Sequence, residues 1–246
     1  MRITVFNGSS RGERGNTHVM VEEFLKGARE AGAETENIFL VEKDIKHCLA
    51  CFTCWTKTPG KCVTEDDMEE LLQKFMDSDI VVYATPVYVD NVSGIMKNFT
   101  DRHVPIIDPY YEKDEAGEYR HRMRYDKYPK IAVISNCAYP EQSHFQVMRL
   151  LFKRIARNIH SEVIGEIYRG GGQILKSRNP ELEPLVEEYK KNLRIAGKEL
   201  AENLELSKAT IERLEAPIMP HDLYVKVLND AWDRYFSKHK SSSVRK

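Results

Sequence analysis

The chain has 246 residues, 41% hydrophobic and 30% charged, with a formal net charge of -1. That length buries a full core and fits one α/β domain with decorations, and the balanced charge asks for neither nucleic acid nor an anionic membrane as partner. No apolar run approaches the roughly 20 residues that a bilayer crossing needs, and MRITVFNGSS enters a strand pattern with no charged-then-apolar leader; a cytoplasmic protein is expected.

Residues 2–7 (RITVFN) read as a first strand ending at Gly8. Val19, Met20, Phe24, Leu25 and Ala28 then recur at helical steps from about Thr17, and Gly32 closes that helix. Residues 34–41 read as a second strand, followed by the run HCLACFTCWTKTPGKC. Thr64-Glu65-Asp66-Asp67 reads as a helix start, a capping threonine with acids in the first turn, ahead of Met68, Leu71, Leu72 and Phe75. The continuous apolar run from Ile80 to Ala84 suits a strand covered on both faces. A helix over 93–101, a strand over 130–136, a helix over 145–159, a strand over 162–168 and an amphipathic helix over 181–204 complete the alternation. Strand–helix repetition of this kind predicts an α/β fold, a doubly wound parallel sheet flanked by helices.

Two segments fall outside that plan. Residues 108–128 are rich in tyrosine and charge without a clear period, and read as an insertion before the fourth strand. Residues 207–246 read as a proline-marked stretch (APIMPHD) and a short apolar helix through Trp232 and Phe236, ending in a disordered SSSVRK. The expected division is a domain over 1–204 and an extension over 205–246. Packing of the extension on its own domain, on a partner subunit or over the active site is left open by the sequence.

Ser9 to Thr17 (SSRGERGNT) lies between the first strand and the first helix. A loop there aims backbone N–H groups and a helix N-terminus at an anion, and Ser9, Ser10, Arg11, Asn16 and Thr17 add donors and charge. It suits one terminal phosphate monoester, as FMN presents; the dinucleotide fingerprint and the Lys-Ser/Thr ending of a P-loop are both absent. A polar turn capping a helix is the plainer alternative.

Residues 84–102 (ATPVYVDNVSGIMKNFTDR) follow the third strand. In a sheet of order 2-1-3-4-5 the first and third strands are neighbours, so this loop faces the phosphate loop across the ligand crevice. Pro86 stiffens the strand exit and Tyr88 offers a ring to stack on a planar cofactor. Backbone amides of 87–91 suit the pyrimidine edge of an isoalloxazine. Met96 reads as a packing residue.

Cys48, Cys51, Cys54 and Cys62, four of the five cysteines, are spaced Cys-x2-Cys-x2-Cys-x7-Cys. Three thiolates at two-residue gaps turn toward one point and a fourth closes the site from an arm, which suits an iron–sulfur cluster or zinc. Zinc more often uses two separated knuckles, and a set of reduced or redox-active thiols is the third reading.

Together, GSSRGERGNT, the cysteine run and TPVYVDNVSGIMKNFTDR resemble the flavodoxin-like NAD(P)H-dependent FMN reductases, and the cysteine spacing is similar to that of the iron–sulfur flavoproteins in that group. The resemblance covers roughly residues 1 to 200. It implies that Ser9, Ser10, Arg11, Asn16 and Thr17 hold the FMN phosphate, that Pro86, Val87, Tyr88 and Val89 line the flavin ring, and that Asn136, Cys137 and Ala138 complete the pocket. It implies a [4Fe–4S] cluster on Cys48, Cys51, Cys54 and Cys62, and a homodimer or homotetramer. The insertion and the extension are not covered, and the arm before Cys62, with Pro59-Gly60, is at the long end of the pattern.

The expected function is therefore an FMN-dependent oxidoreductase. It takes electrons from NAD(P)H or a reduced ferredoxin and passes them to a quinone, a nitro or azo compound, or a protein acceptor. No catalytic side chain is required for hydride transfer to flavin. The alternatives are a non-enzymatic flavodoxin-type carrier or redox sensor, an FMN reductase without a cluster, and a zinc-stapled module. Secondary expectations attach to His47 (a surface or packing residue, or a hydrogen bond to a sulfur), Cys137 (a packing thiol, or a flavin contact), Arg169-Gly170-Gly171-Gly172 (a plain turn, a lid or a nicotinamide phosphate loop) and Arg120, His121, Arg122 and Arg124 (a solvated basic face, or a patch for an acidic carrier or a dinucleotide).

Overall fold

The computed structural model describes residues 1–243, with side chains through Lys238. A five-stranded parallel sheet runs in the order β2-β1-β3-β6-β7, with β1 at Arg2–Asn7, β2 at Glu34–Phe39, β3 at Ile80–Pro86, β6 at Lys130–Asn136 and β7 at Val163–Arg169. Leaving aside the hairpin described below, this is the expected 2-1-3-4-5 order. Every residue of the central β3 is buried, whereas the edge strand β2 alternates. That difference is what a covered strand and a half-wet strand require.

Helices α1 (Asn16–Glu30) and α6 (Glu183–Asn203) cover one face. They touch backbone to backbone. A Cβ at Gly27 would overlap the Arg194 carbonyl, and one at Gly197 the Phe24 carbonyl. Helices α3 (Met68–Met76), α4 (Gly94–Asp101) and α5 (Gln146–Asn158) cover the other face, over Phe6, Phe75, Tyr83, Phe99 and Phe152. Met96 is fully buried there, a packing residue as read.

Several boundaries differ from the sequence reading. The second strand stops at Phe39 because residues 40–42 turn in a 3-10 helix. Thr64 is not the cap of α3. That helix begins at Met68, whose amide bonds Asp66 Oδ1 at 3.0 Å, while the Thr64 amide points to Cys62 Sγ at 3.5 Å. The insertion is regular structure in spite of its aperiodic sequence: β4 (Ile107–Lys113) and β5 (Tyr119–Met123) form an antiparallel hairpin. Its strands are half-exposed and mix tyrosine with charge on both faces, so the alternation of apolar and polar residues that marks a strand is missing.

The extension is two helices, α7 (Lys208–Glu215) and the long α8 (His221–Ser243), in place of one short helix. It packs on its own domain. Leu206, Leu214 and Tyr224 are buried in the same core as α1 and α6. Of the SSSVRK segment expected to be disordered, residues 241–243 belong to α8 and 244–246 lie outside the described residues. Among the described residues no helix is long and apolar enough to cross a membrane.

Candidate functional site: a cleft at the sheet edge and a cysteine-lined cavity

The carboxyl end of β1 is built to leave donors unclaimed. Asn7 Oδ1 accepts the Ser9 amide at 3.1 Å and turns the chain outward; Gly12, at φ 52, and Gly15 bring it back into α1. Gly15 stands at the N-cap, where no side chain caps the helix, and a Cβ there would strike Ser9 Oγ. The first amides of α1 thus face the cleft as bare donors with the positive end of the helix dipole behind them. Arg11 is exposed beside them and makes no ion pair among the described residues. This donor set fits a phosphate monoester.

The loop after β3 is tied to the first loop by Ser93. Its hydroxyl donates to the Gly8 carbonyl at 2.6 Å and accepts the Met96 amide at 3.2 Å, capping α4. Between Pro86 and Ser93 the chain makes a tight turn. Tyr88 and Asn91 exchange backbone bonds of 2.8 and 3.2 Å, and Val89 and Asp90 sit at φ 48 and 57. A β-branched valine in the left-handed region is strained, and such strain collects at ligand-binding turns. The amides of 87–91 are mostly spent: Val87 bonds the Asn136 carbonyl, and Tyr88 and Asn91 bond each other. Among the described residues only Val89 and Asp90 keep free amides in that stretch, which narrows the expected set for a pyrimidine edge. The Tyr88 side chain is 44% exposed at the cleft.

The third wall comes from β6 and β7. Asn136 Nδ2 donates to Thr17 Oγ1 at 2.8 Å, fastening the end of β6 to the first turn of α1. The Cys137 amide bonds the Arg169 carbonyl, and the Gly172 amide the Cys137 carbonyl. Cys137 is buried, donates from Sγ to the Tyr139 carbonyl at 3.1 Å, and has its thiol pKa pushed up to about 11 by burial, so it is a packing thiol that also borders the cleft. Residues 170–172 are not a loose lid. A Cβ on Gly170 or Gly172 would collide with Pro140 or Asn136, and Arg169 is buried, donating to the Ala216 carbonyl at 2.9 Å.

The three loops enclose a cleft of about 210 Å³. Ten of the expected residues line it: Ser9, Arg11, Asn16 and Thr17 from the first loop, Pro86, Val87 and Tyr88 from the second, Asn136, Cys137 and Ala138 from the third. Ser10 and Val89 do not; Val89 points to solvent at 97% exposure. Gln173 joins the lining without having been read from the sequence, where one glutamine after a glycine run carries no signal.

The four clustered cysteines share a second cavity. Left-handed turns at Ala50 (φ 49) and Phe52 (φ 54) curl the chain between Cys48, Cys51 and Cys54, and Cys54 enters the short helix α2 (Thr53–Thr56). Trp55 anchors the arm by donating to the Val104 and Ile107 carbonyls, each at 3.0 Å, and its ring lies 5.1 Å from that of His121 in the hairpin. His121 therefore serves packing, and Arg120 pairs with Glu112 at 3.3 Å, so the basic patch is partly spent internally. His47 bonds Asn98 Oδ1 at 2.9 Å rather than a sulfur, which leaves the plainer of its two readings.

The thiols feel one another. Burial raises the Cys54 pKa, and the neighbouring Cys62, Cys51 and Cys48 add to the rise. Cys62 goes the other way. Burial opposes its ionisation, but hydrogen bonds from Thr64 and the charge and N–H of Arg102 lower its pKa. Arg102 was not singled out from the sequence. It is buried, donates to Asp66 at 2.5 and 3.1 Å and to the Lys46 carbonyl at 2.7 Å, and reaches Cys62 Sγ at 3.4 Å. Four soft thiol donors around one cavity suit iron–sulfur or zinc ligation. As the side chains stand, no group of three or more Cys, His, Asp or Glu residues converges closely enough to hold a metal ion among the described residues.

The family model described as NADPH-dependent FMN reductase matches residues 1–122, which carry the first two loops of the cleft and all four clustered cysteines. Residues 1–122 belong to that family. An iron-sulfur flavoprotein of Methanocaldococcus jannaschii is 36% identical over 117 residues, 48% of this chain and 59% of the relative. One of Archaeoglobus fulgidus is 42% identical over 105 residues, 43% of this chain and 46% of the relative. The chain spans about half the length of the curated relatives it matches. Among solved structures, an FMN-dependent NADH-azoreductase from Bacillus anthracis, in complex with FMN, superposes with a TM-score of 0.60 at 16% identity, covering 82% of this chain and 99% of that one. An NAD(P)H:quinone oxidoreductase from Methanothermobacter marburgensis superposes with a TM-score of 0.57 at 14% identity, covering 82% and 98%. At those identities the solved structures show a shared flavodoxin-like fold.

Proposed function

We propose that the protein is an FMN-dependent oxidoreductase that draws electrons from NAD(P)H or a reduced ferredoxin and passes them to a quinone, another small molecule or a protein acceptor, with an iron–sulfur cluster on Cys48, Cys51, Cys54 and Cys62. The observation that carries the reading is the convergence of the Ser9–Thr17 and Pro86–Tyr88 loops on one cleft, with the uncapped start of α1 at its base. The named cofactors of the relatives support it. Bound FMN supplies hydride and electron acceptance, and a cluster supplies single-electron transfer. The protein's own residues bind and orient. Ser9, Arg11 and the α1 amides hold the phosphate, Tyr88 covers the ring, and Asn136 keeps the first and third loops in register. No catalytic acid or base is assigned.

A cluster-free FMN reductase is the second reading, favoured by the lack of a tightly converged ligand set among the described residues. A cytoplasmic setting goes with either, since clustered thiols stay reduced there. A homodimer or homotetramer belongs to the proposal as well; the exposed rings of Trp232 and Phe236 on α8 support it, and light scattering tests it.

The test is an absorption spectrum of anaerobically purified protein with iron and sulfide analysis, followed by NAD(P)H oxidation with added quinone. Flavin bands, bound iron and sulfide, and sustained turnover are expected. Flavin bands without iron select the second reading, single-turnover reduction alone selects a carrier, and a colourless protein overturns the proposal.

A further inference from the structure

The stems of the cysteine arm are zipped together. The Asp44 amide bonds Asp67 Oδ2 at 2.8 Å, the Asp67 amide bonds the Asp44 carbonyl at 3.0 Å, and the Lys46 amide bonds Asp66 Oδ2 at 2.9 Å. Residues 47–64 thus form a closed loop that carries every clustered cysteine. At its neck sits Arg102, the C-cap residue of α4, its guanidinium 2% exposed and the Asp66 carboxylate fully buried. The fork spans Asp66 and the Lys46 carbonyl, one from each stem, and Nη2, which bonds Asp66 Oδ1, also points an N–H at Cys62 Sγ. Both oxygens of Asp66 are claimed on several sides: burial pushes its carboxyl up, yet the bonds from Arg102 and the Lys46 and Met68 amides outweigh that and hold it below the usual range.

The other end of α4 is capped by Ser93, which is bonded to Gly8 at the exit of β1, just before the first cleft loop. One two-turn helix therefore runs from the base of that loop to the neck of the cysteine loop, and its two cap residues make the junctions.

From this geometry, and resting on the cysteine site proposed above, we infer that Arg102 is a positioning residue: with Asp66 it latches the 47–64 loop shut on the end of α4 and presents an N–H to the Cys62 sulfur of the loaded site. A lysine cannot copy this. It carries the charge but lacks the planar fork that reaches two stems and a sulfur at once. A hydrogen bond to a ligand sulfur stabilises the more negative, reduced state and raises a cluster's potential.

The experiment compares wild type with Arg102→Lys and Asp66→Asn. In metal-free protein, hydrogen exchange across 47–64 is expected to quicken on the order of tenfold in both variants, with residues 8–17 unchanged. In iron-loaded protein, the midpoint potential of Arg102→Lys is expected to fall below that of wild type. Unchanged protection of 47–64 in both variants overturns the latch. So does loss of protection throughout the chain, residues 8–17 included, because the pair is then a general core contact. An unshifted potential overturns the sulfur contact. Wild-type protein that takes up no iron removes the cluster reading, and the exchange measurement then decides the latch by itself.

Discussion

The flavin-side cleft and the cysteine cavity are built by different means. The cleft is made of strand ends. Its walls are the exits of β1, β3 and β6, and the bonds that join them, Ser93 to Gly8 and Asn136 to Thr17, are short links between loops the sheet has already brought together. The cysteine cavity rests on an arm outside the sheet, closed by an ion pair at its neck and anchored by Trp55 on the loop before the hairpin. A site at strand ends inherits the rigidity of the core. A site on an arm has only its fastenings, so the two respond to different substitutions.

The largest separation is expected at the proposed cluster site. Cys54→Ser removes one of the four proposed thiolates, and bound iron is expected to drop to the background level while the flavin bands stay; retention of both iron and flavin would remove Cys54 from the site. The reverse case is Gly15→Ala. The added methyl meets Ser9 Oγ and fills the cradle at the start of α1, and FMN affinity is expected to weaken about tenfold or more, ~1.4 kcal/mol, with iron content unchanged. Fluorescence titration of FMN reads this directly.

A smaller effect tests the extension's share in the cleft. The Tyr224 hydroxyl donates to the Ala138 carbonyl at 2.8 Å and its ring lies under Gly171. Tyr224→Phe keeps the ring and loses about 1 kcal/mol of hydrogen bond, so a few-fold loss of FMN affinity is expected with the cysteine cavity untouched. An unaltered dissociation constant would make the extension a bystander to the cleft.

Acid should act on the shared core and not on either site alone. His103 is buried among Phe75, Tyr83 and Phe99, and burial lowers its pKa to about 3. Below the ordinary value of 6.5 the unfolded chain binds a proton that the folded chain refuses. Stability contributed by the neutral ring is thus full above that value and lost as pH falls from 6.5 toward 3. Urea unfolding at stepped pH should show a shallower acid decline in His103→Phe than in wild type.

Much of the cleft was legible because its parts are local. Strand, glycine turn and helix follow one another within a dozen residues, and the lining from Ser9 to Thr17 and from Pro86 to Tyr88 needed only the order of the strands to be brought face to face. The Val89 side chain points to solvent because left-handed residues at 89 and 90 set the phase of that turn, so only its backbone amide stays available to a ligand. Thr64 looked like a cap because its neighbours are acidic, but the N-cap position falls three residues later at Asp67 with no side-chain cap, and Asp66 beside it bonds the Met68 amide and Arg102. His47 sits one residue before Cys48, yet its partner is Asn98 of α4, 51 positions away, which no local pattern announces.

The sequence by itself determined the alternation of strands and helices, the two loops and the cysteine spacing, since each is written in neighbouring residues and in the period of the apolar ones. Only the tertiary structure decided that Arg102 meets Asp66 across 36 positions, that Tyr224 supports Ala138 across 86, and that the tyrosine-rich insertion folds as a hairpin beside the cysteine arm. Those contacts join side chains far apart in the chain, and they form only after burial of the core has fixed which surfaces meet.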